Sequence, residues 1–297
     1  MRLLTTLLFA AILGGCAVGP GATRSDLDRQ RQQAHDELDR WASAVAAAGG
    51  IQAFSVTDSR TSQIGDWELA VGDNNKAALY AGLVEAAAEV TSDVPAPGEV
   101  RWDDGSTLQV PLISAVEALN EIRADNASCQ GCTGLTSLKV IGAMLSTGKM
   151  ATSRGSATAP IWEFSVEGSA VRITRVAVAS AQTVTVSPPP WDPNNPPAGL
   201  SIESATGSAT GLEMTVTFIG APDPASKPCG IDYGAEAVES SVAVVVILIE
   251  RRNPIAGTCS AVGATRTATV HLTAPLGDRT VLEVKEGLPV PTTRTAN

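Results

Sequence analysis

Val242-Ala243-Val244-Val245-Val246-Ile247-Leu248-Ile249 is a run of apolar residues with no polar alternation, so as a strand it has no face for water. Successive side chains of a strand point to opposite sides, and this segment must therefore be covered from both. It predicts a central strand in a sandwich or a covered sheet. Around it, Leu200 to Ala205, then Leu212, Met214, Val216 and Phe218 at period two, Thr265 to Thr273, and Thr280 to Val284 carry further strand signals. Glu236 to Ser240 reads as one helical turn. Residues 200–291 form the expected β-rich unit, and 292–297 an expected frayed tail.

Upstream, the run from Ser187 to Pro197 places six of the chain's 18 prolines together and cannot supply a regular ladder of backbone donors. Residues 187–199 read as a linker to an α+β unit over 25–186. That unit opens with Ser25 as an N-cap, and Leu27, Ala34, Leu38, Trp41, Val45 and Ala48 follow on one helical face that ends at Gly49-Gly50. Packing of this face within its own unit is expected. Asp66 to Val71 reads as a strand leading through Gly72-Asp73-Asn74-Asn75 into a helix from Lys76 to Val90. Val100 to Trp102 and Thr107 to Val110 flank a turn at Asp103-Asp104-Gly105, and Leu112, Val116, Leu119 and Ile122 mark another helix.

A meander follows, with strands at Leu138 to Leu145, Met150 to Ser153, Ala157 to Val166 and Ala170 to Ala179, broken at Gly148, Gly155 and Gly168. Trp162, Phe164 and Val166 alternate with Glu163 and Ser165, which turns the aromatic pair toward a core that helices cover. The expected class is α+β: N-terminal helices packed on an antiparallel sheet, then a β-rich unit built as a sandwich or a covered antiparallel sheet.

Behind Arg2, an apolar stretch from Leu3 ends in Leu13-Gly14-Gly15-Cys16. It is about half the roughly 20 residues of a membrane-spanning helix. Its pattern predicts a lipoprotein signal peptide over 1–15, acylation of the Cys16 thiol after cleavage, and a tether over 16–24. The mature chain is then expected at the outer face of the cytoplasmic membrane. A formal net charge of -10, from 21 basic and 31 acidic residues, repels phosphate backbones and anionic headgroups. Nucleic acid is excluded as a partner, the lipid is the expected membrane contact, and an envelope protein or wall polymer is the candidate partner.

With Cys16 acylated, Cys129, Cys132, Cys229 and Cys259 remain, an even number suited to an oxidising compartment. Three connectivities are open, and local pairing is the simplest. A Cys229 to Cys259 bridge would close about 30 residues and contribute roughly 3 to 4 kcal/mol in the chain-entropy model. Cys129-x-x-Cys132 follows a helix and precedes a strand, the reverse of the usual redox dithiol context, which favours a structural disulfide.

Several strings stand out together: Cys129-x-x-Cys132, Thr152-Ser153-Arg154-Gly155-x-Ala157, Pro160-x-Trp162-x-Phe164, Cys229-Gly230-x-Asp232-Tyr233 and Pro275-Leu276-Gly277-Asp278-Arg279. In this order, with the lipobox, they resemble a group of uncharacterised actinobacterial secreted lipoproteins, over roughly Leu119 to Pro291. The resemblance implies an exported, cell-surface protein with paired cysteines. It carries over no catalytic residue.

Residues with chemical potential are few. Ser146-Thr147-Gly148-Lys149 matches Ser-x-x-Lys but lacks the Ser-Asp-Asn and Lys-Thr-Gly companions of penicillin-interacting enzymes, and reads as a hairpin turn. Gly142 to Lys149 has five residues between its glycines where a phosphate loop needs four. The two histidines, His35 and His271, fall in different units. His271 shares the polar face of a strand with Thr267, Thr269 and Thr273, so neither histidine suits a triad or a zinc site. Asp103-Asp104 reads as a solvated turn, and Pro275 to Arg279 as a tight turn or, through Asp278 and Arg279, a recognition point. No cofactor or metal motif is present. The expected role is non-catalytic binding or structure. The alternatives are a wall-glycan hydrolase working through carboxylates and a thiol-disulfide redox protein using Cys129 and Cys132.

Overall fold

The doubly apolar segment folds as β11 (Ala243–Arg252), flanked by β10 (Ile231–Glu239), antiparallel, and β13 (Thr280–Glu283), parallel. The computed structural model describes residues 24–50, 54–69, 71–125, 134–190, 192–194, 196–255, 259 and 261–295. The two faces of β11 enter different cores. Val244, Val246 and Leu248 meet Met214, Val216 and Phe218 of β9 (Glu213–Gly220). Ala243, Val245 and Ile247 meet Ala34, Leu38, Trp41 and Val45 of α1 (Arg24–Ala47).

The sequence fixes which face of α1 turns inward but not what it meets. α1 lies on the sheet of the β-rich unit rather than within its own, because the second face of β11 has to be dried by something. Burial of Leu38, Trp41 and Val45 stabilises by roughly 1.5 to 3 kcal/mol each before ordering entropy is subtracted. Polar contacts fix the helix's azimuth. Arg31 grips Glu236 through both carboxylate oxygens at 2.7 Å, and Gln33 Nε2 donates to the carbonyls of Val284 (2.6 Å) and Lys285 (3.1 Å). Buried Glu37 pairs with Arg40, whose Nη1 reaches the Ser187 carbonyl at 3.0 Å.

β9 belongs to a four-stranded sheet ordered β12-β9-β8-β14, with β8 at Ser204–Ser208, β12 at Ala264–His271 and β14 at Thr292–Thr295. Two expectations change here. Glu236 to Glu239 extend β10 as strand instead of a helical turn, because β11 offers them a full antiparallel ladder. The expected tail begins with β14, held parallel to β8 from Thr292 to Thr295.

The remaining strands form a seven-stranded sheet around β6 (Gly155–Val166). β5 (Leu138–Thr152) occupies the whole of one edge of β6, while β3 (Gly98–Trp102) and β7 (Arg172–Val176) share the other. β4 (Thr107–Val110) continues from β3, β1 (Thr61–Ile64) from β7, and β2 (Val84–Ala86) pairs with the start of β5. The chain is thus a β-rich α+β protein, with three helices and three sheets among the described residues. The sheets are not purely antiparallel: β2 with β5, β11 with β13 and β14 with β8 run parallel across long crossovers.

α3 (Ala115–Ala124) starts at Ser114, whose Oγ accepts the Glu117 amide at 3.1 Å. It covers the sheet with Ala118, Leu119 and Ile122, in one core with Trp162, Phe164 and Val166, as the alternation requires. Trp162 Nε1 donates to the Ile113 carbonyl at 2.9 Å. Other local expectations shift. α2 spans Gly72–Tyr80 only, because Gly82 at φ +65° closes it with the Leu83 amide bonded back to Ala78. Asp66 to Glu68 form a loop before α2 and not a strand.

β5 runs straight through Gly148, where a hairpin was expected. Gly148 lies across from Ala159, and a Cβ there would come within 2.9 Å of Ile161 Cδ1, so the glycine admits Ile161 and does not turn the chain. The turn comes at Ser153-Arg154.

If α1 is the second cover of β11, Trp41→Ala should lower unfolding free energy by about 3 to 5 kcal/mol. Urea denaturation should show the loss in the β-rich half that the helix covers.

Candidate functional site

Arg175 on β7 is 1% exposed, and a cation this deep needs full compensation. Its Nε and Nη2 donate to Glu121 Oε2 at 3.2 and 2.7 Å, and its Nη1 to Thr61 Oγ1 at 2.9 Å and to Asp125. Ser180 Oγ donates to the other Glu121 oxygen at 2.6 Å, and Arg60 approaches Glu121 at 3.3 Å. Burial, reinforced by the neighbouring Arg175, lowers the Arg60 pKa against the pull of Glu121 and Asp125. This cluster ties α3 to β7 and fixes the edge strand β1 from beneath.

Above that strand lies a groove of about 710 Å³ between β1, the 66–69 loop and α2. Thr61, Ser62 and Gln63 line one wall, and Lys76, Leu79 and Tyr80 of α2 the other, with Asp66 and Trp67 between them. Trp67 is partly buried against the core of the seven-stranded sheet, and its Nε1 is shielded from water with no acceptor among the described residues. Tyr80 is 70% exposed, and Leu69 and Val71 of the same segment are also open to water. The loop is held by Glu68, which accepts from the Ala170 amide and Ser169 hydroxyl at 2.8 to 2.9 Å. The Ala170 amide, with a backbone bond from Glu68 itself and the Ser169 hydroxyl, keeps the Glu68 pKa below the ordinary carboxylate value. The groove thus offers two aromatic residues, one carboxylate and one ammonium group, which suits noncovalent recognition of a partly polar ligand.

The residues singled out in the sequence lie elsewhere. Cys229 and Cys259 form a disulfide, while Cys16, Cys129 and Cys132 lie outside the described residues. Ser146 and Lys149 stand on opposite faces of β5, not at a helix start or in a turn, and Lys149 pairs with Asp103 at 3.2 Å. The segment from Gly142 to Lys149 is extended strand. His35 is exposed on α1, and His271 is exposed across β12 and β9 from Glu213, with Nδ1 3.1 Å from its carboxylate. Asp104 Oδ1 accepts from Ser106 N (2.8 Å) and Oγ (2.6 Å), as a local turn requires, and these bonds keep its pKa low against partial burial.

Arg279 is a fastener and not a surface recognition residue. It is 7% exposed, bonds Glu239 Oε2 at 2.6 Å, and caps the carbonyls of Ala274 and Pro275 at 2.6 and 2.8 Å. Burial alone would raise the Glu239 pKa, but bonds from the Thr273 amide, Arg279 and the Thr273 hydroxyl outweigh it and hold the group below its ordinary value.

Trp67 and Tyr80 escaped the sequence reading because Asp66 to Val71 mimics a strand; the polar aromatic cluster just after Gly65 was the available signal. No protein-family model, curated protein or solved structure matches the chain.

Removing one partner from a buried ionic cluster strands the others, so Arg175→Ala should cost about 3 to 5 kcal/mol in urea unfolding. The lowered Glu239 pKa stabilises the fold above the ordinary carboxylate range, and that contribution disappears as pH falls through the folded value. Arg279→Ala should therefore move the acid-unfolding midpoint, followed by circular dichroism, to higher pH.

Proposed function

We propose that the chain is a lipid-anchored protein of the cell envelope that binds an envelope component without transforming it. The observation that carries the binding reading is the groove lined by Trp67 and Tyr80, with polar groups spaced along both walls. A carboxylate-based glycan hydrolase needs two carboxyls facing each other across about 5 to 10 Å. Among the described residues, Asp66 is the one carboxylate lining this groove, and Glu99 the one lining a second groove beside Pro97 and Pro160, which favours binding. Wall polymer or an envelope protein is the ligand class.

The address rests on Leu13-Gly14-Gly15-Cys16 after a short apolar stretch. The Cys229 to Cys259 disulfide is in keeping with an oxidising compartment, and the acidic balance leaves the lipid as the membrane contact. In this reading α3 covers the seven-stranded sheet, and the two C-terminal sheets close as a sandwich that α1 joins to the rest.

Mass spectrometry of native protein should find Cys16 acylated at the mature N-terminus; an intact Met1 without acyl groups would overturn the address. Purified wall fragments titrated into the full chain should perturb tryptophan fluorescence, with affinity lowered at least about tenfold by Tyr80→Ala. Retention of neither wall polymer nor envelope protein by the immobilised chain would remove the binding reading.

A further inference from the structure

The edge of β5 that faces away from β6 is paired only near its ends. β2 covers Leu138 to Val140, and the 55–57 segment covers the other end through Thr57 to Ala151, Ser153 to Ser55 and the Val56 bridge to Thr152. Between them, Gly142 to Met150 finds no backbone partner on that side among the described residues. Open edges of this length are normally guarded by proline, inward charges or repeated bulges. This one has a single bulge, between Val140 and Gly142, and a single charge, Lys149, which is engaged by Asp103. Met144 and Leu145, 53% and 40% exposed, extend from opposite faces beside it.

We propose that Gly142 to Met150 pairs antiparallel with the same segment of a second copy, about a two-fold axis at Ser146, and joins two seven-stranded sheets into one. The segment is complementary to itself in this register. Met144 comes opposite Gly148, Leu145 opposite Thr147, and Lys149 opposite Ala143, so each large side chain meets a small one and the charges avoid each other.

Grooves wait on both faces. One of about 290 Å³ beside Gly148, Met150 and Ile161 receives the partner's Met144. Another of about 660 Å³ beside Thr147 and Pro160 receives the partner's Leu145. An unrelated strand would share the backbone bonds but not this match of knobs and grooves. A seam of nine residues is small beside the roughly 1,200 to 2,000 Å² of stable interfaces, so micromolar dimerisation is expected. The net charge of -10 on each copy opposes approach, and added salt should tighten the pair.

Sedimentation equilibrium of the full chain should show twice the monomer mass as concentration rises toward about 100 µM. Leu145→Asp should weaken the dimer at least about tenfold with circular dichroism unchanged. Oxidation of the Ser146→Cys variant should give a linked dimer on non-reducing gels above the unsubstituted background. Lys149→Cys should not, because its two copies would sit about 20 Å apart along the seam. A chain that stays monomeric at this concentration, a dimer indifferent to Leu145→Asp, or linkage through position 149 as ready as through 146 would overturn the proposal.

Discussion

Burial of β11 from both sides is the constraint on which the architecture depends. A strand with Val244, Val246 and Leu248 on one face and Ala243, Val245 and Ile247 on the other loses stability whenever either face is wet. The four-stranded sheet covers the first face. The second face draws α1 across from the N-terminal side of the chain.

Charged groups refine this arrangement, and their surroundings decide how much each matters. Arg154 at the β5–β6 turn reaches Asp278 at 3.5 Å, so two motifs far apart in sequence meet at the junction of the halves. With Asp278 half exposed, such a pair contributes about 0 to 1 kcal/mol, and the stacking of Arg154 on Trp102 at 4.5 Å adds a similar amount. Arg175 and Arg279 differ because both are buried and bonded on several sides, so each acts as a keystone whose loss leaves carboxylates and carbonyls without partners.

Much of this was legible in residues whose environment is set by their own pattern. The period-two alternation of Trp162, Phe164 and Val166 and the double apolar face of β11 each state a local requirement that the fold satisfies. What escaped depends on partners distant in sequence. Glu236 to Glu239 became strand because β11 lay beside them, Thr292 to Thr295 were ordered by β8, and α1 found its cover some 200 residues away, as Arg31 with Glu236 shows. Gly148 misled for a subtler reason: glycine marks either a turn or room for a neighbour, and only the position of Ile161 distinguishes them. The groove was hidden in the same way, since its walls come from β1 and α2, with Asp66 and Trp67 between them.

The placement of α1 also sets an order of events for the newborn chain. The helix leaves the ribosome well before Glu236, Val284 and Lys285, which it must clasp and which follow some 205 to 252 residues later. Until then its apolar stripe has no native shelter, and closing so long a loop is slow. Completion of the fold is thereby postponed until these distant residues have been made.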